Sequence, residues 1–162
     1  MPMEKKNMSE IISFCEGHIP LLGICLGMQL LFESSEEGSQ AEGLGVIQGR
    51  VERLSSTSLS SRARVPNVGW RELAGPDAPS SSSNHFHVPL ANGDVSVPPW
   101  MFFTHSYAIM DRGEFHASFS ARHGETRYVA IVSDARVMGV QGHPELSGKA
   151  GARFLAEALA NL

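Results

Sequence analysis

Hydrophobic residues near the start of the chain follow two patterns in succession. Over residues 8–16 they recur at helical spacing up to Gly17, which predicts a short amphipathic helix. The run Ile19–Ile24 is apolar on both faces, which is typical of a buried parallel strand rather than an edge strand. A second helix is predicted over Leu26–Ser34. A helix, a buried strand and a helix therefore open the sequence.

The remaining apolar positions predict mainly strands. The residues of Gly45–Leu54 alternate in polarity after several chain-breaking glycines. Further strand-like runs, separated by turn residues, are Trp100–Ile109, Phe115–Ala121, Tyr128–Val132 and Val137–Gln141. A closing helix is predicted over Gly148–Leu162, with an apolar face of Ala152, Leu155, Ala156 and Leu159. Strands between terminal helices indicate an α/β fold.

One segment, 74–99, differs in composition from the rest. It contains five of the nine prolines and the serine run 80–83. Such a composition predicts a long loop or insertion. With no internal repeat and 162 residues, the sequence otherwise predicts one domain, 1–162.

Charge and hydropathy exclude several classes of function. The formal net charge is -4, and the basic residues are scattered, so we expect no nucleic-acid partner. No apolar stretch reaches the ~20 residues that a membrane span requires, and no secretion signal is visible. Two cysteines are weak grounds for a disulfide, so we expect free thiols and a cytoplasmic protein.

The strongest candidate for chemistry is the segment Gly23-Ile24-Cys25-Leu26-Gly27, where a strand is predicted to meet a helix. This G-x-C-x-G spacing is that of a nucleophile elbow with sulfur in place of oxygen. Small residues on both sides let strand and helix approach closely, and the helix N-terminus favours a thiolate. Cys25 is the predicted nucleophile. Cys15, on an apolar helical stripe, is more simply a packing residue.

A cysteine nucleophile needs a base, and His143 is the best candidate among the seven histidines. It follows the strand that ends at Gln141, and Pro144 stiffens the turn. Glu145, two residues on, would lie on the same side of an extended segment and orient the imidazole. These three side chains predict a Cys-His-Glu triad.

We expect no metal and no cofactor. His85 and His87 flank Phe86 in a serine-rich segment without other ligand-type residues. His105 ends an apolar run, which suits either a packed strand-end histidine or the wall of a binding site. No phosphate loop or dinucleotide fingerprint is present.

Several stretches together resemble one known family. They are LLGICLGMQLLFESSEEG, GLGVIQGRV, VPNVGW, FFTHSY and GVQGHPELSGKAG, in that order along the chain. They are similar to the class I, or triad-type, glutamine amidotransferases, and within these to the glutaminase subunits of imidazole glycerol phosphate synthase. The resemblance implies a flavodoxin-like mixed sheet flanked by helices.

The resemblance also implies a reaction and a partner. Cys25 would attack the side-chain amide of L-glutamine to form a thioester, while His143 moves protons and Glu145 orients His143. The amide of Leu26 would supply an oxyanion donor. The glutamine pocket would be lined by Gln29, His105, Ser106 and Tyr107. Ammonia would pass to a TIM-barrel cyclase subunit in histidine biosynthesis, which implies a heterodimer, and VPNVGW is similar to a segment near that interface.

Three departures from the family pattern bear on these expectations. The usual Q-F-H-P-E has Gly142 in place of the aromatic, which predicts a more flexible turn. The usual P-H-M-G-W reads P-N-V-G-W at 66–70, which affects the partner contacts. Family members carry roughly two further strands and a glycine-rich oxyanion loop before the elbow, more than 24 residues supply, so we expect a domain truncated at its N-terminus.

Other interpretations of the sequence stay open. The chain is alternatively a truncated or weakened amidotransferase relative acting as a binding subunit. It also suits a glutaminase subunit of another synthase, or a different cysteine hydrolase on the same fold, such as a γ-glutamyl peptidase.

Overall fold

The computed structural model describes residues 19–38, 41–55, 63–75, 86–111, 119–134 and 136–162. The helix predicted over residues 8–16, including Cys15, lies outside these ranges, as does 76–85 within the predicted loop.

The described residues form twelve strands, two α-helices and one 3-10 helix. The helices are α1 (Leu26–Leu30), α2 (Gly148–Asn161) and the 3-10 helix Pro144–Leu146. The strands are β1 (Leu21–Ile24), β2 (Phe32–Ser35), β3 (Ala41–Glu42), β4 (Ile47–Arg53), β5 (Asn67–Glu72), β6 (Phe86–Leu90), β7 (Gly93–Val97), β8 (Trp100–His105), β9 (Tyr107–Ile109), β10 (Phe119–His123), β11 (Thr126–Asp134) and β12 (Val137–Val140).

A mixed sheet of order β1-β12-β11-β10 holds the two strands that matter most for the site. β1 pairs with β12 in parallel, from Leu21 opposite Val137 to Ile24 opposite Val140. The predicted parallel pairing is therefore confirmed. The expected interior position is wrong, because among the described residues β1 is an edge strand and only Gly23 of its four residues is buried. Apolar periodicity reports side-chain type and not what covers the strand.

The helix predicted over Leu26–Ser34 is shorter in the structure, because Phe32–Ser35 forms strand β2 of a second sheet, whose order is β3-β2-β4-β9. The helix α1 ends at Leu30, and Phe32 already pairs with Ile47 of β4 in parallel. Pairing on both sides of β2 outweighs the local helical pattern. Gly43 packs so closely that a Cβ there would overlap the carbonyl oxygen of Phe32.

The prediction of a loop over 74–99 is wrong for residues 86–97, which form the antiparallel hairpin β6–β7. Val88 and Val95 are opposite one another and fully buried. Pro89 is accommodated because this sheet has only two strands, so its missing N–H interrupts no interior ladder. Alternating valines determine the structure of residues 86–97, although the segment 74–99 as a whole is rich in proline and serine.

The closing helix α2 confirms the predicted bounds to within one residue but not the predicted face. Gly151, Phe154 and Ala158 are buried, whereas Ala152, Ala156 and Leu159 are exposed and Leu155 is half-buried. Alanines make both faces weakly apolar, so the largest apolar side chain of the helix interior, Phe154, decides which face packs.

Short bridges join the sheets into one mixed α/β architecture, as predicted. Ala74 bridges to Ser120 of β10, and Met110 bridges to Tyr128 of β11. Beneath them, the pair β5–β8 presents a buried face to the main core, including Met101 and Phe103. β8 also contacts the segment after β12, since the Phe102 carbonyl accepts the His143 N–H.

Candidate active site

Cys25 occupies a strained turn between β1 and α1. Its φ is 51° and its ψ is -107°, and it is the one non-glycine residue with positive φ in the described ranges. Such angles cost about 1–3 kcal/mol and persist only where the surroundings impose them. Here the Cys25 N–H donates to the Val140 carbonyl at 2.7 Å. The predicted elbow geometry is present.

The two glycines of the elbow differ in their need to be small. A Cβ on Gly23 would lie 2.6 Å from the backbone carbon and oxygen of Gly27. A Cβ on Gly27 would meet no atom within 4 Å. Close approach of strand and helix therefore requires Gly23 alone, and the expectation that both positions must be small is half wrong.

The Cys25 thiol is less acidic than the elbow motif suggested. Burial raises the pKa of Cys25 and the nearby carboxylates Glu145 and Glu37 raise it further, while hydrogen bonds from the Leu26 amide and the Gln141 side chain lower it. Because the thiol is favoured at neutral pH, the sulfur needs a base to become a nucleophile.

His143 and Glu145 form the hydrogen bond that the sequence predicted. His143 Nδ1 lies 2.6 Å from Glu145 Oε1, and because a carboxylate only accepts, Nδ1 carries the proton. His143 Nε2 is shielded from solvent and has no hydrogen-bond partner among the described residues. Glu145 reaches the ring from the 3-10 helix, not from an extended segment as expected. The free Nε2 lone pair is available to accept a proton.

Strand β8 anchors both candidate groups. The Cys25 Sγ lies 3.9 Å from the carbonyl oxygen of Thr104, and the His143 N–H donates to the carbonyl of Phe102 at 2.8 Å. Two residues along a strand span about 6.6 Å. Attachment to carbonyls two residues apart thus keeps the nucleophile and the base at neighbouring points of one strand.

Ser147 ties the histidine turn to β8, and the sequence analysis missed it. Its hydroxyl donates to the His143 carbonyl at 2.6 Å and accepts the Phe102 N–H at 2.9 Å. Ser147 stands at the N-cap of α2, yet its hydroxyl makes no cap hydrogen bond. A serine two residues after H-P-E is the signal in the sequence, but a serine before a helix is commonly a cap, so its residue type does not indicate this contact.

The space that a side chain at position 142 would fill is occupied by the side chain of Met101. A Cβ there would lie 2.5 Å from the sulfur of Met101, which is fully buried. Met101 therefore occupies the region next to the base where the family pattern has an aromatic. The flexibility expected of this turn stays a prediction.

The residues predicted to line the glutamine pocket, and the predicted oxyanion donor Leu26, differ in their exposure to solvent. Gln29 is 6% exposed, with Nε2 donating to the Tyr107 carbonyl at 2.9 Å and to Gln141 Oε1 at 3.1 Å. Ser106 and Tyr107 are half-buried, and Leu26 is exposed. Contact of these residues with glutamine stays a prediction.

His105 belongs to a buried polar network with Asn67 and Tyr128. Its Nδ1 bonds the Tyr107 carbonyl at 2.8 Å, and its Nε2 receives Asn67 Nδ2 at 2.9 Å. Asn67 also donates to the Tyr128 hydroxyl at 3.0 Å. Burial lowers the pKa of His105 to about 4, so the ring is neutral at pH 7. His105 is therefore a packed strand-end histidine, and its contact with glutamine stays a prediction.

The described part of the chain lacks two further kinds of feature, a metal-binding cluster and a membrane-spanning helix. It contains no cluster of three or more histidine, cysteine, aspartate or glutamate residues suited to a metal ion. None of its helices is both long and apolar enough to span a membrane.

Sequence comparison identifies a matching protein family and several named relatives. The model of the family "Glutamine amidotransferase class-I" matches residues 2–162. The imidazole glycerol phosphate synthase subunit HisH of Synechococcus sp. is 44% identical over 138 residues, covering 84% of this chain and 57% of the relative. The subunit HisH of Pyrobaculum aerophilum is 40% identical over 141 residues, covering 87% and 63%. The chain thus spans about three-fifths of the length of these relatives.

Structure comparison agrees on the fold. A solved structure entitled "Crystal structure of glutamine amidotransferase" matches with a TM-score of 0.51 and 17% sequence identity, covering 94% of this chain and 66% of that one. Together with the family match over almost the whole chain, this shows that the protein belongs to the class I glutamine amidotransferase family.

Proposed function

We propose that this chain hydrolyses L-glutamine to glutamate and ammonia as the glutaminase part of a cytoplasmic imidazole glycerol phosphate synthase, in histidine biosynthesis. The observation that carries the proposal is the His143–Glu145 pair, which leaves His143 Nε2 without a partner among the described residues. The pair follows β12, which is the parallel neighbour of β1, the strand directly before Cys25. The names of the most similar relatives support the choice of synthase.

The chemistry follows from these positions. Cys25 Sγ forms a bond to the side-chain amide carbon of glutamine, and its proton moves to His143 Nε2. Glu145 holds the resulting imidazolium through Nδ1. The carbonyl oxygen becomes an oxyanion, to which the Leu26 amide would donate. The hydrogen bond of this amide to the Cys25 sulfur, which puts it beside the reacting atom, supports that role.

Collapse of this intermediate releases ammonia. His143 returns its proton to the leaving nitrogen as the carbon–nitrogen bond breaks, which leaves a glutamyl thioester on Cys25. Water then attacks the thioester with His143 again as base, releasing glutamate and restoring the thiol. The first half of the cycle needs the Nε2 lone pair because the free thiol is mainly protonated. The second half needs the same lone pair to take a proton from the attacking water.

Covalent labelling tests the proposed nucleophile directly. The protein is incubated with a glutamine-like chloroketone and digested, and its peptides are mapped by mass spectrometry. We expect modification of Cys25 and protection by excess L-glutamine, because the reagent must occupy the substrate position. A Cys25→Ser variant is the matched control. Labelling of Cys15 alone, or labelling that glutamine does not reduce, would contradict the assignment.

An apolar surface beside the site suits the proposed cyclase partner. On the outer face of β5–β8, Val68 is 55% exposed, Trp70 48% and Trp100 50%. Trp70 packs edge-on against Phe102, with ring centroids 6.1 Å apart. The same strand β8 anchors the nucleophile and the base through its carbonyls. A partner bound to this docking face would therefore lie close to the point where ammonia is released.

Removing the large ring of the docking face is expected to weaken the complex. Trp70→Ala should raise the Kd for the cyclase subunit by about 30-fold, since central aromatic residues of interfaces often contribute about 2 kcal/mol or more. Leu159→Ala on α2, where the side chain is 64% exposed, is the matched control and should bind normally. Calorimetric titration measures both. Equal Kd values for the two variants would place the partner elsewhere.

A further inference from the structure

Gln141 is a buried polar residue placed against the sulfur of Cys25. It directly follows β12, is fully buried, and its backbone N–H donates to the Ala130 carbonyl at 2.8 Å. Its side-chain Nε2 lies 3.8 Å from Cys25 Sγ. A buried amide group without a hydrogen-bond partner is costly, so this position is suited to a side chain that finds partners on both of its ends.

The orientation of the Gln141 amide follows from its neighbours. The Tyr107 carbonyl can only accept, so the atom of Gln29 that lies 2.9 Å from it must be the amide nitrogen. The same nitrogen faces the Gln141 side chain at 3.1 Å, which must therefore present its oxygen. The Gln141 nitrogen is then directed at the sulfur. The hydrogen bonds from Gln29 to the Tyr107 carbonyl and to Gln141 thus determine which end of the Gln141 amide faces Cys25.

We propose, building on the glutaminase function above, that Gln141 is a further catalytic residue that donates an N–H to Cys25 Sγ, and that Gln29 is the positioning residue that holds Gln141 in that orientation. A hydrogen bond to an ionised acceptor is about twice as strong as one to a neutral acceptor. The contact therefore favours the thiolate over the thiol. It counteracts the burial and the carboxylate charges that raise the pKa of Cys25.

The effect is measured on the thiol itself, without glutamine. In a Cys15→Ser background, the rate of Cys25 alkylation by iodoacetamide is recorded from pH 6 to 11 for the complete chain. Gln141→Glu keeps the shape and the acceptor for Gln29, and turns a carboxylate oxygen toward the sulfur. We expect its alkylation midpoint to move up by about one pH unit or more, since a donor is lost and a like charge is added.

A second variant isolates the loss of the donor from the added charge. Gln141→Leu should move the midpoint up by about half a unit, because it removes the hydrogen bond to the thiolate without adding a charge. It also removes the acceptor of Gln29 Nε2, a contact that does not touch the sulfur. Gln48→Glu and Gln48→Leu, at an exposed position of β4, are the matched controls and should leave the midpoint unchanged. Circular dichroism confirms that each variant is folded.

The outcomes separate this proposal from the proposed function. Unchanged midpoints in both Gln141 variants would overturn the role of Gln141, whatever the rate of glutamine hydrolysis. Upward shifts in both, with the Gln48 variants unchanged, would support it. Upward shifts in a protein that never hydrolyses glutamine, even with the cyclase subunit, would support the Gln141 contact and overturn the glutaminase assignment.

Discussion

Replacing His143 by alanine is expected to lower the glutaminase kcat by about 10³-fold or more, nearly as much as replacing Cys25 by alanine. The thiol pKa is raised by burial, so without Nε2 the nucleophile stays protonated at neutral pH. Glu145→Gln should retain more activity, since the amide still orients the ring but no longer balances the imidazolium charge. Release of glutamate, measured with the cyclase subunit and its ligand present, gives the three rates.

A double variant tests whether Cys25 and His143 act as one catalytic unit. Members of one catalytic unit are strongly non-additive, so Cys25→Ala with His143→Ala should be hardly slower than Cys25→Ala alone. His87→Ala, at an exposed position of β6, is the matched histidine control and should keep full activity. If His143→Ala retained more than about a tenth of the wild-type rate, another residue would have to be the base.

Adding one methyl group at Gly23 is expected to destabilise the fold, whereas the same change at Gly27 is not. Gly23→Ala forces a Cβ to within 2.6 Å of the Gly27 backbone, which cannot yield as a flexible side chain would. We expect a loss of about 3 kcal/mol in the free energy of unfolding. Gly27→Ala meets open space inside a helix and should gain about 0.5–1 kcal/mol.

Chemical denaturation with both variants measures this difference. The pair forms its own control, because the two glycines flank the same cysteine and receive the same methyl group. Equal free energies of unfolding for Gly23→Ala and Gly27→Ala would show that the elbow is looser than its geometry indicates.

Two parts of the candidate site could be predicted from the sequence because the residues that form each of them are close together along the chain. Cys25 stands at the predicted turn, and Glu145, two residues after His143, makes the predicted hydrogen bond, while their catalytic roles stay predictions. Each of these two motifs lies within a few residues of the chain, so residue type and spacing are enough to predict its local geometry. The strained backbone at Cys25 could be anticipated for the same reason.

Long-range contacts could not be anticipated from one sequence. The role we give Gln141 depends on which strand end lies beside β12, and that of Ser147 on the approach of β8. A glutamine or a serine near a turn has many ordinary uses, so neither residue type signals these contacts. Fold errors have the same origin, since the edge position of β1 and the packed face of α2 are set by tertiary neighbours.

The pairing of β1 with β12 also determines when the site forms during folding. Cys25 and Gln141 are 116 residues apart in sequence. During synthesis the cysteine therefore meets Gln141 only after all of these intervening residues have been made. Contacts of such long sequence separation form slowly, because loop closure must precede them. The strained turn at Cys25 is held by the Val140 carbonyl, and a nascent or partly unfolded chain lacks that hydrogen bond. Nucleophile geometry is therefore a property of the finished fold, and incomplete chains carry Cys25 as an ordinary cysteine.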